Sequence, residues 1–137
     1  MNTFDANKCN MINMYVANFS FERSEKLVSA GLSVAIQAKV SKEGIDLYRI
    51  EITTQLANNN GVEIDENKIN LKMLLISTFR IEDFDDTTEE GKKIVEKELL
   101  KRVLPHVTQQ ITTFTTQPGL SPIFLPVIDV ENFKSGD

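Results

Sequence analysis

Few side chains in this sequence could do chemistry, and their spacing limits what it would be. There is one histidine, His106, directly after Pro105, and one cysteine, Cys9. Imidazole can act as a general base, yet no serine or second cysteine is placed to be activated by it. The commoner reading is a histidine on a helix surface or a subunit seam. One cysteine and one histidine make no Cys/His zinc site, and a lone cysteine allows no internal disulfide. Cys9 has only Lys8 as a basic neighbour, so nothing local activates its thiolate. The acidic run Glu82, Asp83, Asp85, Asp86, Glu89 and Glu90 has the charge to hold a cation or a basic partner. An EF-hand loop would need glycine at its sixth position, where Thr88 stands. The commoner use of such a run is to offset the positive end of a helix. Glu51 and Glu63 lack a spacing that marks an acid and a base, and the six glycines form no phosphate-cradling loop. No catalytic residue, metal or cofactor is expected, and the sequence points to binding rather than turnover.

A binding surface needs elements to carry it, and the stretch from Thr87 to Phe133 is the strongest candidate. Thr87 is placed to cap a helix, with Glu90 three residues on to bond back to the cap's amide. Val95, Leu99, Val103, Val107, Ile111 and Phe114 then recur at spacings of four, four, four, four and three. Ile94, Leu100 and Leu104 widen the same stripe, so one face is apolar for about six turns. Pro105 lies within it and predicts a kink or break near Lys101 to Leu104; the pattern resumes in phase, which favours a kink. The helix should end between Thr115 and Gly119. Beyond it, Pro122 and Pro126 interrupt an apolar run from Leu120 to Ile128, which predicts an extended, proline-rich segment. Phe114, Ile123, Phe124, Leu125, Val127, Ile128 and Phe133 are the candidate lining of a groove for a client chain. The alternative is that this segment simply packs against the sheet.

Everything before the helix reads as sheet. Ile12, Met14, Val16, Phe19 and Phe21 suggest a first strand from Met11, with a bulge where the face changes at Asn18. Leu32 to Ser41 and Leu47 to Leu56 alternate cleanly, with a turn at Lys42-Glu43-Gly44. A fourth strand runs from Ile69 to Ile81, where Met73-Leu74-Leu75-Ile76 predicts burial on both faces. The fold class expected is α+β: a four-stranded antiparallel meander, one long kinked helix, and the proline-rich segment. The 137 residues suit a single domain, with Met1 to Asn10 polar and frayed. No run approaches the roughly 18 to 20 apolar residues of a membrane span, and no signal peptide is visible, so a soluble, cytoplasmic protein is expected. A net charge of −5 argues against nucleic acid as a partner. One sheet and one helix leave a sheet face uncovered, which predicts a homo-oligomer, with Val16, Met73, Leu75, Ile76, Val95 and Leu99 as interface candidates.

Several motifs in this order resemble a known family. Tyr15-Val16-Ala17-Asn18-Phe19-Ser20-Phe21-Glu22 resembles the first strand of the SecB-type protein-export chaperones, which ends in an apolar-Ser-Phe-Glu run after a tyrosine. Leu104-Pro105-His106, Ile111-Thr112 and Pro122-Ile123-Phe124-Leu125-Pro126-Val127 resemble that family's Phe-Pro-Tyr, Ile-Thr and Pro-rich segments. The resemblance spans roughly residues 11 to 133. It implies a dimer of dimers and an ATP-independent holdase that keeps non-native polypeptides unfolded in apolar grooves for protein translocation. It also implies docking on the SecA motor through an acidic sheet surface. Glu22 matches one such acidic position, Asn18 stands where an acid is usual, and Lys72 falls where a second strand's acid would lie. A SecB-like module dedicated to one partner, such as an antitoxin or a phage protein, fits the same residues.

Overall fold

The computed structural model describes residues 3–23, 32–58 and 69–115. These form four strands, β1 (Cys9–Arg23), β2 (Leu32–Gly44), β3 (Leu47–Asn58) and β4 (Ile69–Ile81), followed by one helix, α1 (Glu89–Thr115). The α+β class holds, and the third and fourth strands start where the alternation places them.

Connectivity departs from a simple meander. All pairings are antiparallel, but the strand order is β1-β4-β3-β2, so only β2, β3 and β4 follow one another across the sheet. β1 joins the far side of β4, which leaves β1 and β2 as the two edges. This makes β4 an inner strand and explains its doubly apolar middle: Met73 and Leu75 face the helix, while Ile76 is only 5 % exposed on the opposite face. Strand alternation alone cannot tell whether the first strand pairs with the second or the fourth, because both pairings bury the same face.

β1 carries two register slips, between Met11 and Asn13 and between Val16 and Asn18. The second is the bulge expected at Asn18. The first displaces Ile12, expected on the buried face, and leaves it exposed while Met11 and Met14 take the helix side. Buried Ser77 donates its hydroxyl to the Asn13 carbonyl, satisfying backbone beside the slip. Regular structure begins before the strand expected from Met11: Ala6–Lys8 form a 3-10 turn, β1 begins at Cys9, and Glu82 N–H donates to the Lys8 carbonyl. The β2–β3 hairpin turns through Asp46 at φ 60°, whose carbonyl accepts from Ile81 N–H.

Helix α1 lies across β3 and β4. Val95, Leu99, Leu100, Val103, Leu104, Val107 and Ile111 are all buried against Ile50, Ile52, Leu56, Leu71, Met73, Leu75 and Phe79, which is the core. The helix runs unbroken through Pro105, which sits on the solvent side, where water can satisfy the carbonyl its missing N–H leaves free. The cap is Thr88 rather than Thr87: Gly91 N–H bonds the Thr88 hydroxyl, and Lys92 N–H its carbonyl. That places Gly91 where a capping box would need glutamate, so Glu90 does not close one. Thr87 instead turns its hydroxyl and its amide to Asp85.

Thr54 is fully buried in this core, and its hydroxyl has no partner among the described residues. A desolvated, unpaired hydroxyl costs on the order of 1–3 kcal/mol. Thr54→Val is therefore expected to raise stability by about 1 kcal/mol, read as a higher urea midpoint at an unchanged slope.

Candidate functional site

Because one helix cannot cover four strands, most of the helix-facing side of both edge strands is only half-buried, Cys9 and Ala38 excepted. Along β1 the half-buried residues are Met14, Val16, Phe19 and Phe21; along β2 they are Val34, Ile36 and Val40. The two flanks differ in chemistry.

The β1 flank is aromatic at its lower end. Phe19 and Phe21 pair with Met73 and Leu71 on the helix side of the sheet, with ring centroids 6.2 Å apart. Phe114, from the last turn of α1, packs its ring 5.0 Å from that of Phe19, the two tilted by 57°, and is still 42 % exposed. The row Val95, Leu99, Val103, Val107 and Ile111 that leads to it is buried, so Phe114 is where the stripe runs off the sheet edge. Sequence periodicity selected Phe114 as groove lining; it gave no sign that Phe19 and Phe21 would join it. The other groove candidates, Ile123, Phe124, Leu125, Val127, Ile128 and Phe133, lie outside the described residues.

The β2 flank ends in a polar-rimmed cleft of about 220 Å³, lined by Val40, Ser41, Lys42, Tyr48, Asp86, Lys92, Val95 and Glu96. Tyr48 Oη donates to Asp86 Oδ2 at 2.8 Å, and Lys42 Nζ reaches the same carboxylate at 3.2 Å. Burial pushes the Asp86 carboxyl up, but donation from Tyr48 and Lys42 outweighs it and holds the group below its ordinary value. Tyr48 moves strongly upward, first through burial and then through its bond to Asp86.

These two shifts fix a pH response. Folding lowers the Asp86 pKa, so its stabilisation is complete above the ordinary value of 3.8 and is lost as pH falls through the native one. Folding raises the Tyr48 pKa, so its stabilisation is complete below 10.0 and is lost as pH rises through the native value. Tyr48→Phe should cost about 1.5–3 kcal/mol at neutral pH and flatten both limbs of the stability profile. Thermal unfolding across the acid and alkaline ranges measures it, and unchanged limbs would place the pH dependence elsewhere.

The remaining acidic run is taken up locally. Asp83 pairs with Lys8 at 2.7 Å, Asp85 receives Thr87, and Glu89 and Glu90 occupy the first turn of α1. No group of three or more metal-ligating side chains occurs among the described residues. Cys9 is buried, which pushes its thiol up despite nearby Arg102. His106 is half-buried on α1.

The expected interface divides. Met73, Leu75 and Leu99 are 0 % exposed and Val95 2 % within one chain, so they belong to its core and cannot meet a second copy. Periodicity marks which residues are apolar; it does not say which neighbour buries them. Val16 stays half-buried on the β1 flank, and Ile76 lies on the outer sheet face beside Tyr15. That outer face is mostly polar, with Asn13, Ser20, Lys39, Arg49, Thr53, Gln55, Lys72 and Thr78 around Tyr15, Leu74 and Ile76. It can remain wetted, which removes the premise that an uncovered sheet requires a partner. Asn18, Glu22 and Lys72 are brought together there on β1 and β4.

No protein-family model matches this sequence, and no curated protein does. Solved structures do match. The SecB-like chaperone Rv1957 of Mycobacterium tuberculosis, in complex with a ChAD peptide from the Rv1956 HigA1 antitoxin, superposes with a TM-score of 0.62 at 14 % identity, over 90 % of this chain and 93 % of that one. A protein of unknown function from Streptococcus agalactiae superposes with a TM-score of 0.50 at 11 % identity, over 88 % and 98 %. At such identities the likeness speaks to architecture alone, and the architecture of this chain is a SecB-like fold.

Proposed function

We propose that this protein binds non-native polypeptide on the apolar surface beside the C-terminal half of α1, as an ATP-independent holdase of the cytoplasm. The observation that carries this reading is the aromatic shelf of Phe19, Phe21 and Phe114, with Phe114 42 % exposed at the end of an otherwise buried stripe. Exposed aromatic surface continued along β1 by Val16 and Met14 binds by area and can repack around many sequences. Ile123, Phe124, Leu125, Val127, Ile128 and Phe133 would extend it. The test is suppression of aggregation of a reduced, unfolded client; failure at stoichiometric amounts removes the holdase reading.

A module dedicated to one partner is the second reading, and one observation favours it: the SecB-like neighbour is seen with a peptide from an antitoxin. Capture from the native cell extract separates the two, since one dominant folded partner favours the module and many unfolded ones the holdase. On the outer sheet face, Lys72 lies one diagonal step from Glu22. That mixed charge gives a basic SecA motif little net attraction and favours a dedicated client over export. For self-assembly as a dimer or dimer of dimers, the proposal rests on the β1 edge, where Met11, Ile12 and Tyr15 are 38, 51 and 49 % exposed. Light scattering giving a clean monomer would remove it.

A further inference from the structure

The cleft at the start of α1 lies on the opposite flank from the aromatic shelf and has a chemistry of its own. Its floor is apolar, from Val40, Val95 and the ring of Tyr48, and its rim is charged. The charges are layered. Lys42 and Lys92 are exposed, whereas Asp86 and Glu96 are recessed. The Asp86 carboxylate is already engaged by Tyr48 and Lys42 and does not await a cation. An incoming group therefore meets ammonium charge first and apolar surface behind it.

Size narrows the occupant. At about 220 Å³ the cleft is below the roughly 300–1,000 Å³ of small-molecule and cofactor sites, and suits a single side chain. Position narrows it further. Val40 is both part of the cleft wall and the last member of the apolar row Val34, Ile36, Ala38 and Val40 along edge strand β2, half-buried except at Ala38. Alternate residues of a strand repeat at about 6.6–6.8 Å, the repeat of any extended polypeptide laid alongside. A chain following that row delivers one side chain to the cleft.

We propose that this cleft seats a bulky apolar side chain of a bound polypeptide whose adjacent residue is acidic, the carboxylate meeting exposed Lys92, since Lys42 is held by Asp86. This deepens the polypeptide-binding reading and rests on it. The occupant is a client segment. The competing occupant is a second copy of this chain, offering Ile45, 90 % exposed at the hairpin tip, followed by Asp46.

The test uses the full chain and labelled, otherwise polar peptides of about a dozen residues with a central Phe-Glu, Phe-Lys or Ser-Glu pair, read by fluorescence anisotropy. Phe-Glu should bind about fivefold more tightly than Phe-Lys, the size of a rim charge contribution, and Ser-Glu weakly or not at all. Lys92→Glu, at an exposed position that leaves the core intact, should reverse the order, and salt of about 0.5 M should narrow the ratio. Lys101→Glu, exposed on α1 and outside the cleft, should leave the ratio unchanged. Equal affinity for Phe-Glu and Phe-Lys, or no response to Lys92→Glu, overturns the proposal. Tighter peptide binding on Ile45→Ser, with a fall in assembly mass, assigns the cleft to a second copy and overturns it as well. If the peptides fail to bind while the protein still suppresses aggregation, the cleft proposal falls and the polypeptide-binding reading stands; if both fail, both fall.

Discussion

Replacing Gly91 with alanine is expected to destabilise the protein by about 2 kcal/mol, against the direction that helix propensity dictates. Alanine is worth roughly 0.8–1 kcal/mol more than glycine inside a helix, so the substitution looks favourable on propensity alone. Here a Cβ on Gly91 would collide with the backbone carbonyl of Asp85, and would press on Thr88 Oγ1 at 3.1 Å and Asp86 Cα at 3.2 Å. The obstacle is backbone, so it cannot swing aside as a flexible side chain can. Overpacking of this kind typically costs 1–3 kcal/mol. The damage also has a direction: moving the 85–86 backbone withdraws Asp86 from Tyr48 and disturbs the Thr88 cap. Urea unfolding of Gly91→Ala, with exposed Lys92→Ala as the control, measures it; the control should change stability by a few tenths of a kcal/mol at most. A stabilised Gly91→Ala would mean that the loop before α1 is free to rearrange.

Phe114→Asp is expected to abolish polypeptide binding while leaving the fold standing. The ring is 42 % exposed, so the folded state loses chiefly its contact with Phe19, about 1 kcal/mol. Binding loses more. A carboxylate in the middle of an aromatic surface must be desolvated by any apolar client, and central aromatic anchors are commonly worth 2 kcal/mol or more, which is at least tenfold in affinity. Ile45→Asp provides the contrast. Ile45 is 90 % exposed at the β2–β3 turn, away from the three phenylalanines, and should leave aggregation suppression intact. Equal loss in both variants would mean that general surface charge, not the shelf, governs client capture.

Much of the fold was legible in order along the chain. Alternation in 47–56 and 69–81 predicted faces that the structure buries residue by residue, because a strand's two-residue period leaves one choice once one face must be dry. The spacing of Val95 to Ile111 similarly anticipated the buried side of α1. The bulge near Asn18 was visible as a break in phase. The cap was misplaced by one residue, since the Thr87 and Thr88 hydroxyls are equally able acceptors and only the Asp85 turn decides between them. Interface candidates Met73, Leu75, Val95 and Leu99 were misassigned because a fully apolar residue looks the same whether its own helix or another subunit covers it.

By itself the sequence determined local character: which segments are strands and which stripe of the helix is dry. Those follow from periodicity and composition, which act between residues close in the chain. Tertiary structure alone decided that β1 pairs with β4, that the helix lies over the inner strands, and that Phe114 consequently meets Phe19 and Phe21 at the sheet edge. It likewise joined Lys42, Tyr48 and Asp86 across three elements into one cleft. Such meetings depend on how a single helix divides its coverage among four strands, a choice set by the packing of the whole core and written in no local pattern.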